Sequence, residues 1–311
     1  MASGASDKAQ VLVEALPYIK RFWGKVVVVK YGGNVLAGAA AGDEAHALRL
    51  FAEDIVLMRS VGMKPVVVHG GGPQIGDLLK RLNIKSEFRN GLRVTDADTL
   101  DVVRMVLVGK VNREIVAAIN THGALAVGVS GEDANLLRVT CTDPSLGFVG
   151  DVSEVSPELL HRILDQDLIA VIATIGTDET GQAYNINADV AAGAIAAALR
   201  AEKLVYLTNI DGLRSDVTDP TSLIRRISVD ALASMLVDGS LEGGMIPKVQ
   251  SCVDAIRGGV ARAHILDGRA SHALLLEVFT DEGIGTMVSV DGTATTPMVK
   301  NPMFSLKETQ T

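Results

Sequence analysis

The apolar positions of this chain predict short buried strands that alternate with helices. Residues 26–29 are all valine, and valines recur at 66–68 after one helical pattern. Continuous runs of β-branched residues are typical of strands that are buried on both faces of a parallel sheet. We predict strands at 25–30, 64–69, 124–129, 135–141, 168–174, 203–208, 263–266 and 286–290. The alternation predicts an α/β protein with an open, mostly parallel central sheet sandwiched by helices.

Apolar residues recur at helical spacing between these strands. Helices are predicted at 43–61, 73–82, 96–121, 187–199, 229–236, 247–257 and 271–279. The polar segments 83–95 and 142–155 predict hairpins that lie over the sheet.

An additional amphipathic helix is predicted at 7–23, before the first strand. Pro17 lies in its middle and predicts a kink, because proline removes a backbone donor and clashes with the preceding turn. Two interpretations of this helix stay open: it packs on its own domain, or it contacts a second subunit. We predict four regions in the chain, namely this helix at 1–23, two lobes at 24–180 and 181–291 that share one sheet, and a loose tail at 292–311.

The composition narrows the classes of protein that fit this pattern. Hydrophobic residues make up 48% of the 311 residues and aromatic residues only 4%, so the core must consist of Val, Ile, Leu and Ala. A net charge of −8 argues against non-specific binding of nucleic acid, which needs a basic surface. Cys141 and Cys252 are too few for a disulfide framework, and we expect buried structural thiols. No apolar segment suits a membrane span or a secretory signal, so a cytoplasmic protein is expected.

The first two predicted strands end in runs of glycine. Lys30 precedes Gly32 and Gly33, and the second strand runs into glycines 70–72. Ligands of open α/β sheets bind beyond the carboxyl ends of the strands, where glycine lets backbone amides approach an anion closely. The lysine adds a full positive charge, so we predict a phosphate site. The second run departs from a dinucleotide-binding fingerprint, because Ile75 stands where the third glycine should be.

Three later segments add candidate groups. Arg93 follows a turn and offers a planar fork that fits a carboxylate. Asn185 and Asp189 flank a helix start that Asn187 can cap, and the carboxylate of Asp189 can hold a lysine or coordinate a hydrated Mg²⁺. Lys248 lies near a predicted helix N-terminus, where its charge opposes the helix dipole, and a bound anion would offset that cost.

In their order along the chain, these segments resemble the amino-acid kinase family. The segments are V-K-Y-G-G-N, V-H-G-G-G, N-G-L-R-V-T-D, N-I-N-A-D and G-G-M-I-P-K, and the resemblance covers residues 7–291. Within the family, N-G-L-R-V-T points to enzymes that act on N-acetyl-L-glutamate. The resemblance implies ATP-dependent phosphorylation of the γ-carboxylate of N-acetyl-L-glutamate, with ATP and Mg²⁺ as cofactors.

The resemblance also implies a role for each candidate. Lys30 and Lys248 would neutralise the transferring phosphoryl group, and Asp189 would orient both lysines. The residues implied in binding the amino-acid substrate, in the lobe 24–180 and at its border, are Gly71, Gly72, Arg93 and Asn185. The residues implied in binding the nucleotide, mostly in the lobe 181–291, are Gly32, Gly33, Thr208, Asn209, Asp211, Gly212 and Leu213. No side chain is expected to bind a metal ion permanently.

The additional helix and the C-terminal segment resemble the arginine-inhibited members of this family. The resemblance implies that Glu277 and Gly283 meet the effector L-arginine beside the N-terminal helix. It also implies a homo-oligomer, a dimer that the helices join into a hexamer. The plainer interpretation makes Glu277 an exposed helix residue and Gly283 a C-terminal turn.

Three alternatives to this function stay open from the sequence. The chain could phosphorylate another carboxylate as a different kinase of the family. It could be a nucleotide-dependent dehydrogenase built on the loop 70–76, although the missing glycine and the two lysines argue against that class. It could also be a metabolite sensor without catalysis that binds a partner protein.

Overall fold

The protein is described by a computed structural model. It covers residues 3–33, 44–89, 91–141, 143–216, 218–219, 221–239, 241, 243–280 and 283–292, with the backbone alone for 3–9. Almost all of the predicted tail, 293–311, lies outside the described residues, and so does the predicted helix start at Asp43.

Fourteen strands form three sheets among the described residues. They are β1 (Val26–Tyr31), β2 (Lys64–His69), β3 (Phe88–Arg89), β4 (Leu92–Arg93), β5 (Ala126–Ser130), β6 (Leu137–Thr140), β7 (Val149–Val155), β8 (Ile169–Ala173), β9 (Ile175–Thr177), β10 (Ala183–Ile186), β11 (Lys203–Thr208), β12 (Arg226–Ser228), β13 (Arg262–Asp267) and β14 (Thr286–Ser289). Eight of them build the central sheet in the order β12-β14-β13-β11-β1-β2-β8-β5. Every neighbouring pair in it is parallel except β13 and β14. The prediction of a mostly parallel central sheet is confirmed.

Ten α-helices accompany the strands within the described part of the chain. They are α1 (Ser3–Phe22), α2 (Glu44–Ser60), α3 (Gly72–Arg81), α4 (Ala97–Arg104), α5 (Asn112–Asn120), α6 (Glu158–Asp165), α7 (Ala188–Ala198), α8 (Val229–Val237), α9 (Met245–Arg257) and α10 (Ala273–Phe279). None of the helices that are described combines the length and apolarity needed to cross a bilayer.

The helices cover both faces of the central sheet, because its strands alternate between two cores. In β1, Val27 and Val29 face a core with helices α2, α4, α5 and α10, whereas Val28 faces a second core with α6, α7, α8 and α9. Four strands of the sheet come from 24–180 and four from 181–291. The division into a substrate lobe and a nucleotide lobe stays a prediction.

Two predicted elements differ from the structure. The strand predicted at 135–141 does not join the central sheet: β6 pairs with β7 and β9 in a small closed barrel with β10. The hairpin predicted within 142–155 is wrong, because β7 pairs in antiparallel fashion with β6, which precedes this segment. These pairings depend on contacts between distant segments that local polarity does not report.

The single helix predicted at 96–121 is also interrupted. Between α4 and α5 the chain forms a π-helical stretch, Met105–Val111. Besides Lys110, it contains three valines and Gly109, which favour a regular α-helix only weakly, but no motif in the sequence indicates the wider winding. Such stretches are rare and frequently lie at functional sites.

Helix α1 continues through Pro17 to its end at Phe22. Phe22 is buried, and Tyr18 packs against the same core. The earlier turns expose Val11, Leu12 and their neighbours Val13 and Leu16, with 45–69% of each residue accessible. The helix is anchored on its own chain at one end and leaves an apolar surface at the other.

Candidate active site

Two lysines clasp one carboxylate at the carboxyl edge of the central sheet. Lys30 lies at the end of β1, Asp189 in the first turn of α7 and Lys248 in the first turn of α9. Lys30 Nζ lies 2.8 Å from Asp189 Oδ1, and Lys248 Nζ lies 2.8 Å from Asp189 Oδ2. All three side chains are nearly buried, with 9–12% of each accessible. Two cations against one anion leave a surplus positive charge, which suits an anionic ligand.

The charges of the cluster also set its protonation. Burial alone would raise the pKa of Asp189, but the charges of Lys30 and Lys248 outweigh it and lower this pKa to about 2. Burial lowers the pKa of Lys30, and the attraction of Asp189 opposes that shift. The carboxylate is therefore ionised at neutral pH and keeps both ammonium groups facing it.

Hydrogen bonds from neighbouring residues of α7 and α9 hold Asp189 in place. Asn187 caps α7 and accepts from the backbone N–H of Asp189 at 2.8 Å. Ser251 donates its hydroxyl to the Asp189 carbonyl at 2.6 Å and lies 2.5 Å from the hydroxyl of Tyr206. The ring of Tyr206 lies under the Lys248 ammonium, 5.3 Å from centroid to Nζ.

Cys252 follows in α9 and is completely buried, and burial raises the pKa of its thiol. Cys141 is exposed directly after the end of β6, with its Sγ 3.8 Å from the Gly147 carbonyl oxygen. The expectation of a buried structural thiol is confirmed for Cys252 and wrong for Cys141, which is exposed. Neither cysteine lines the cavity described below.

The glycine loop, residues 70–72, faces this cluster; it has no room for a side chain at Gly71, whereas a Cβ on Gly72 would meet nothing within 4 Å. A Cβ on Gly71 would lie 2.8 Å from Leu107 Cδ2, and one on Gly33 would lie 2.9 Å from Pro73 Cδ. A Cβ on Gly32 would lie 3.2 Å from Lys30 Nζ. The two glycine runs thus leave backbone beside the lysines, as the sequence predicts.

These groups line one cavity of about 470 Å³. The predicted residues on its wall are Lys30, Gly32, Gly33, Gly71, Gly72, Arg93, Asn185, Asp189, Thr208, Asn209 and Lys248. The structure therefore brings together residues from both halves of the chain around a basic, glycine-lined pocket.

Arg93 is fixed at the far side of the cavity. Its Nη2 donates to the Gly72 carbonyl at 2.9 Å, its Nη1 donates to the hydroxyl of Ser86, and its guanidinium lies 4.6 Å from the centre of the Phe88 ring. Asn185 is linked to the segment that follows β4, because its amide donates to Thr95 Oγ1 at 3.4 Å. Sequence reasoning missed Ser86 and Phe88, since neither belongs to a motif and both meet Arg93 through the hairpin of β3 and β4.

The residues predicted to bind the nucleotide separate into two groups. Thr208 and Asn209 line the cavity, together with Ile210 and Met245, which lie within the predicted segments but had no role assigned to them. Asp211 pairs with Arg214 at 2.8 Å instead.

Gly212 and Leu213 lie behind the cavity wall. The N–H of Leu213 donates to Thr286 Oγ1 at 2.8 Å, and the Leu213 side chain is buried. Gly212 has φ of +149°, and a Cβ there would lie 2.6 Å from the same Thr286 oxygen. Both residues therefore shape the loop after β11 rather than the surface of the pocket.

Glu277 and Gly283 come together at the opposite end of the sheet, beside the end of α1. Glu277 Oε1 lies 2.6 Å from His264 Nδ1, and Oε2 accepts from the N–H of Ile284 at 3.0 Å. A Cβ on Gly283, whose φ is +58°, would lie 2.8 Å from Glu277 Oε2. Lys203 donates to the Glu277 carbonyl at 3.3 Å and lies 5.0 Å from the centre of the Phe22 ring. Glu277 is buried, so the interpretation as an exposed helix residue is wrong.

The described residues do not form a metal centre of their own. They contain no group of three His, Cys, Asp or Glu side chains arranged to hold a metal ion. Asp189 presents both oxygens to lysines at 2.8 Å, which favours the predicted lysine-holding role over that of a Mg²⁺ ligand.

Comparison with known proteins gives the family. A sequence profile of the amino acid kinase family matches residues 25–267, so the chain belongs to the amino acid kinase family. An acetylglutamate kinase of Syntrophomonas wolfei is 52% identical over 290 residues, which cover 93% of this chain and 99% of that protein. The predicted resemblance to enzymes of this kind is confirmed, and the chain is a kinase.

Solved structures agree with the fold. The N-acetylglutamate synthase of Neisseria gonorrhoeae, complexed with coenzyme A and L-arginine, matches with a TM-score of 0.75 at 28% identity. The match covers 91% of this chain and 65% of the synthase, so this chain spans about two thirds of that protein's length. A carbamate kinase of Giardia lamblia bound to AMP-PNP has the same fold, with a TM-score of 0.67 at 17% identity over 86% of this chain and 98% of the kinase.

Proposed function

We propose that this protein transfers the γ-phosphoryl group of ATP to the γ-carboxylate of N-acetyl-L-glutamate, as a step of arginine biosynthesis. The Lys30–Asp189–Lys248 cluster, which faces the glycine loop across one cavity, is the observation that carries the proposal. The identity of 52% to an acetylglutamate kinase along nearly its full length supports the choice of substrate.

The chemistry needs charge neutralisation more than a base. A γ-carboxylate has an ordinary pKa of about 4.3 and is already ionised near neutral pH. The barrier lies in bringing one anion against another, so catalysis depends on alignment and on cations placed beforehand. Lys30 and Lys248 supply two such charges, and Asp189 keeps them in position because it stays ionised.

Each group of residues that lines the cavity then contacts one part of the two substrates. Arg93 and Asn185 hold the carboxylate of the amino-acid substrate, and N–H groups of Gly71 and Gly72 contact the transferring phosphoryl group and the substrate. Gly32 and Gly33, with Thr208 and Asn209, receive the nucleotide, which brings Mg²⁺ on its phosphates. The product is an acyl phosphate, which water destroys, so a narrow pocket also protects it.

Regulation by L-arginine is the second part of the proposal. The effector would lie beside Glu277 and Gly283, where a buried carboxylate, His264, Lys203 and the end of α1 meet. A guanidinium fits a carboxylate, and an α-carboxylate fits a lysine. The likeness to a synthase complexed with L-arginine supports the choice of effector.

We further propose that the exposed apolar turns of α1 join subunits into a homo-oligomer, a dimer or a hexamer. A contiguous apolar helix surface is typical of a protein contact. Both cysteines are free thiols, which is consistent with a protein that functions in the reducing cytoplasm.

The decisive experiment traps acyl phosphate with hydroxylamine in the presence of ATP and Mg²⁺. N-acetyl-L-glutamate, L-glutamate and L-aspartate are compared, each with and without L-arginine. Turnover of the acetylated substrate alone, suppressed by arginine, is the expected result. Turnover of a free amino acid would overturn the roles of Arg93 and Asn185 and favour another carboxylate kinase. Binding of these ligands without turnover would favour a metabolite sensor.

A further inference from the structure

A buried histidine lies directly behind the glycine loop, and no step above uses it. His69 ends β2 and is completely buried. Its Nδ1 lies 3.0 Å from the Gly70 carbonyl oxygen, and its Nε2 lies 3.1 Å from the side-chain nitrogen of Asn112. The imidazole therefore bridges the loop and helix α5.

The hydrogen bonds of Asn112 fix the protonation of this imidazole. The amide nitrogen of Asn112 also donates to the Val171 carbonyl at 2.9 Å, and its oxygen accepts from Arg113. Because the amide nitrogen only donates, His69 Nε2 must accept, and the ring proton must lie on Nδ1. Burial lowers the pKa of His69 to about 4, with Arg113 adding to the shift and the Gly70 hydrogen bond opposing it, so the ring is neutral at pH 7.

Two features of the backbone bring Asn112 to this place. The π-helical stretch ends where the N–H of Asn112 bonds to the Leu107 carbonyl, five residues earlier. In an α-helix of 3.6 residues per turn, residues five apart point about 140° away from each other. The wider winding brings them close to one line, so Leu107 packs on Gly71 while Asn112 reaches His69.

The strand beneath leaves space for the same side chain. A Cβ on Gly128, in the middle of β5, would overlap the oxygen of Asn112 and the guanidinium of Arg113. Glycine inside a strand marks such a close approach. The π-helical winding, the glycine at position 128 and the hydrogen bonds thus all determine where the side-chain amide of Asn112 lies.

We propose that His69 and Asn112 are positioning residues that set the orientation of the peptide between Gly70 and Gly71. In a trans peptide the carbonyl and the N–H point in opposite directions. His69 holds the Gly70 carbonyl toward the interior, so the Gly71 N–H is directed toward the cavity that the loop lines. The inference rests on the proposed function, in which this N–H stabilises charge on the transferring phosphoryl group.

Kinetics of four variants test the role. His69→Leu and Asn112→Leu are expected to lower kcat roughly 10- to 100-fold, less than the ~10²- to 10³-fold loss when an oxyanion donor itself is removed. KM for both substrates should change little. His69→Asn keeps a donor at the Nδ1 position and should retain most of the wild-type kcat.

Asn120→Leu is the matched control, because Asn120 ends the same helix and bonds only to the backbone around Leu125 and Ala126, far from the loop. It should lower the melting temperature and leave kcat unchanged.

A ¹⁵N NMR spectrum of histidine-labelled wild-type protein tests the tautomer without any assay, with His69 assigned from its absence in His69→Asn. A proton on Nδ1 alone is expected, and a proton on Nε2 would overturn the inference. Wild-type kcat in both leucine variants would overturn it as well. An inactive wild type would instead refute the proposed function, while the spectrum still decides the tautomer.

Discussion

Two buried lysine clusters lie at opposite ends of the same sheet and differ in their balance of charge. At the carboxyl edge, Lys30 and Lys248 share the single carboxylate of Asp189, so one positive charge remains. At the other end, Lys203 is matched by Glu277, and burial lowers the pKa of His264 to about 4, so the histidine is neutral. Burial also lowers the pKa of Lys203 to about 8, against the attraction of Glu277.

This difference in charge balance indicates which kind of ligand each cluster can bind. A buried surplus cation is costly unless an anion joins it. A neutral cluster needs no ligand to be stable, but it offers a carboxylate and an ammonium to a zwitterion. The first arrangement suits phosphoryl transfer, and the second suits an amino-acid effector that binds and leaves.

Removing the surplus charge should have the largest effect. Lys30→Ala and Lys248→Ala are each expected to lower kcat by about 10³-fold, because transition-state charge loses a preorganised cation. KM for ATP should change far less. Steady-state kinetics give both numbers, with Lys64→Ala as the control, since Lys64 pairs with Asp165 at the surface, 3.3 Å away. Unchanged turnover in both cluster variants would remove the mechanism.

The opposite wall of the cavity should determine affinity for the amino acid. Arg93→Met is expected to raise KM for N-acetyl-L-glutamate about 10- to 100-fold, the worth of a charged hydrogen bond. Arg89→Met is the control on the same hairpin, because Arg89 is exposed and pairs with Glu87. Equal KM values for the two variants would contradict a carboxylate clamp at Arg93.

The pKa of Asp189 predicts a pH-dependent term in stability. Its folded-state pKa of about 2 lies below its ordinary value of 3.8, because the lysine charges outweigh the effect of burial. The stabilisation is therefore present above pH 4 and is lost as the pH falls toward 2, by about 2 kcal/mol. Urea unfolding of wild type and Asp189→Asn between pH 2 and 6 should reveal a flatter profile in the variant. Parallel profiles would contradict the shifted pKa.

Substitutions in the cluster of Lys203 and Glu277 should change inhibition by arginine and leave turnover in the absence of arginine unchanged. Glu277→Gln is expected to raise the arginine concentration for half-inhibition about 10-fold, since a neutral amide holds a guanidinium less well than a carboxylate. Glu202→Gln removes a nearby charge that pairs with Arg262 instead, and should leave inhibition intact. Deletion of residues 1–22 should abolish inhibition, and a deletion variant with undiminished sensitivity would refute the role of α1.

The sequence predicts those parts of the site that follow from strand ends. Lys30 and both glycine runs come directly after buried strands, and parallel strands end at one edge, so their meeting is expected. Asp189 is also predictable, because a helix start needs a cap and tolerates a carboxylate.

The remaining parts depend on contacts that local patterns do not encode. Nothing around Ser86 marks it as a partner of Arg93, and nothing around Leu213 shows that the loop turns it inward toward Thr286. The π-helical stretch Met105–Val111 likewise carries no recognisable motif, although its Leu107 packs against Gly71 of the glycine loop.

The two thiols of this chain make a built-in reporter. Cys141 is exposed, whereas Cys252 is sealed beneath Lys248. Only thiolates react with alkylating dyes, so a dye should label Cys141 at once and spare Cys252 in the native protein. The rate at which Cys252 is labelled would then report how often helix α9 opens locally away from the sheet. A bound nucleotide that stabilises the closed helix should lower this rate.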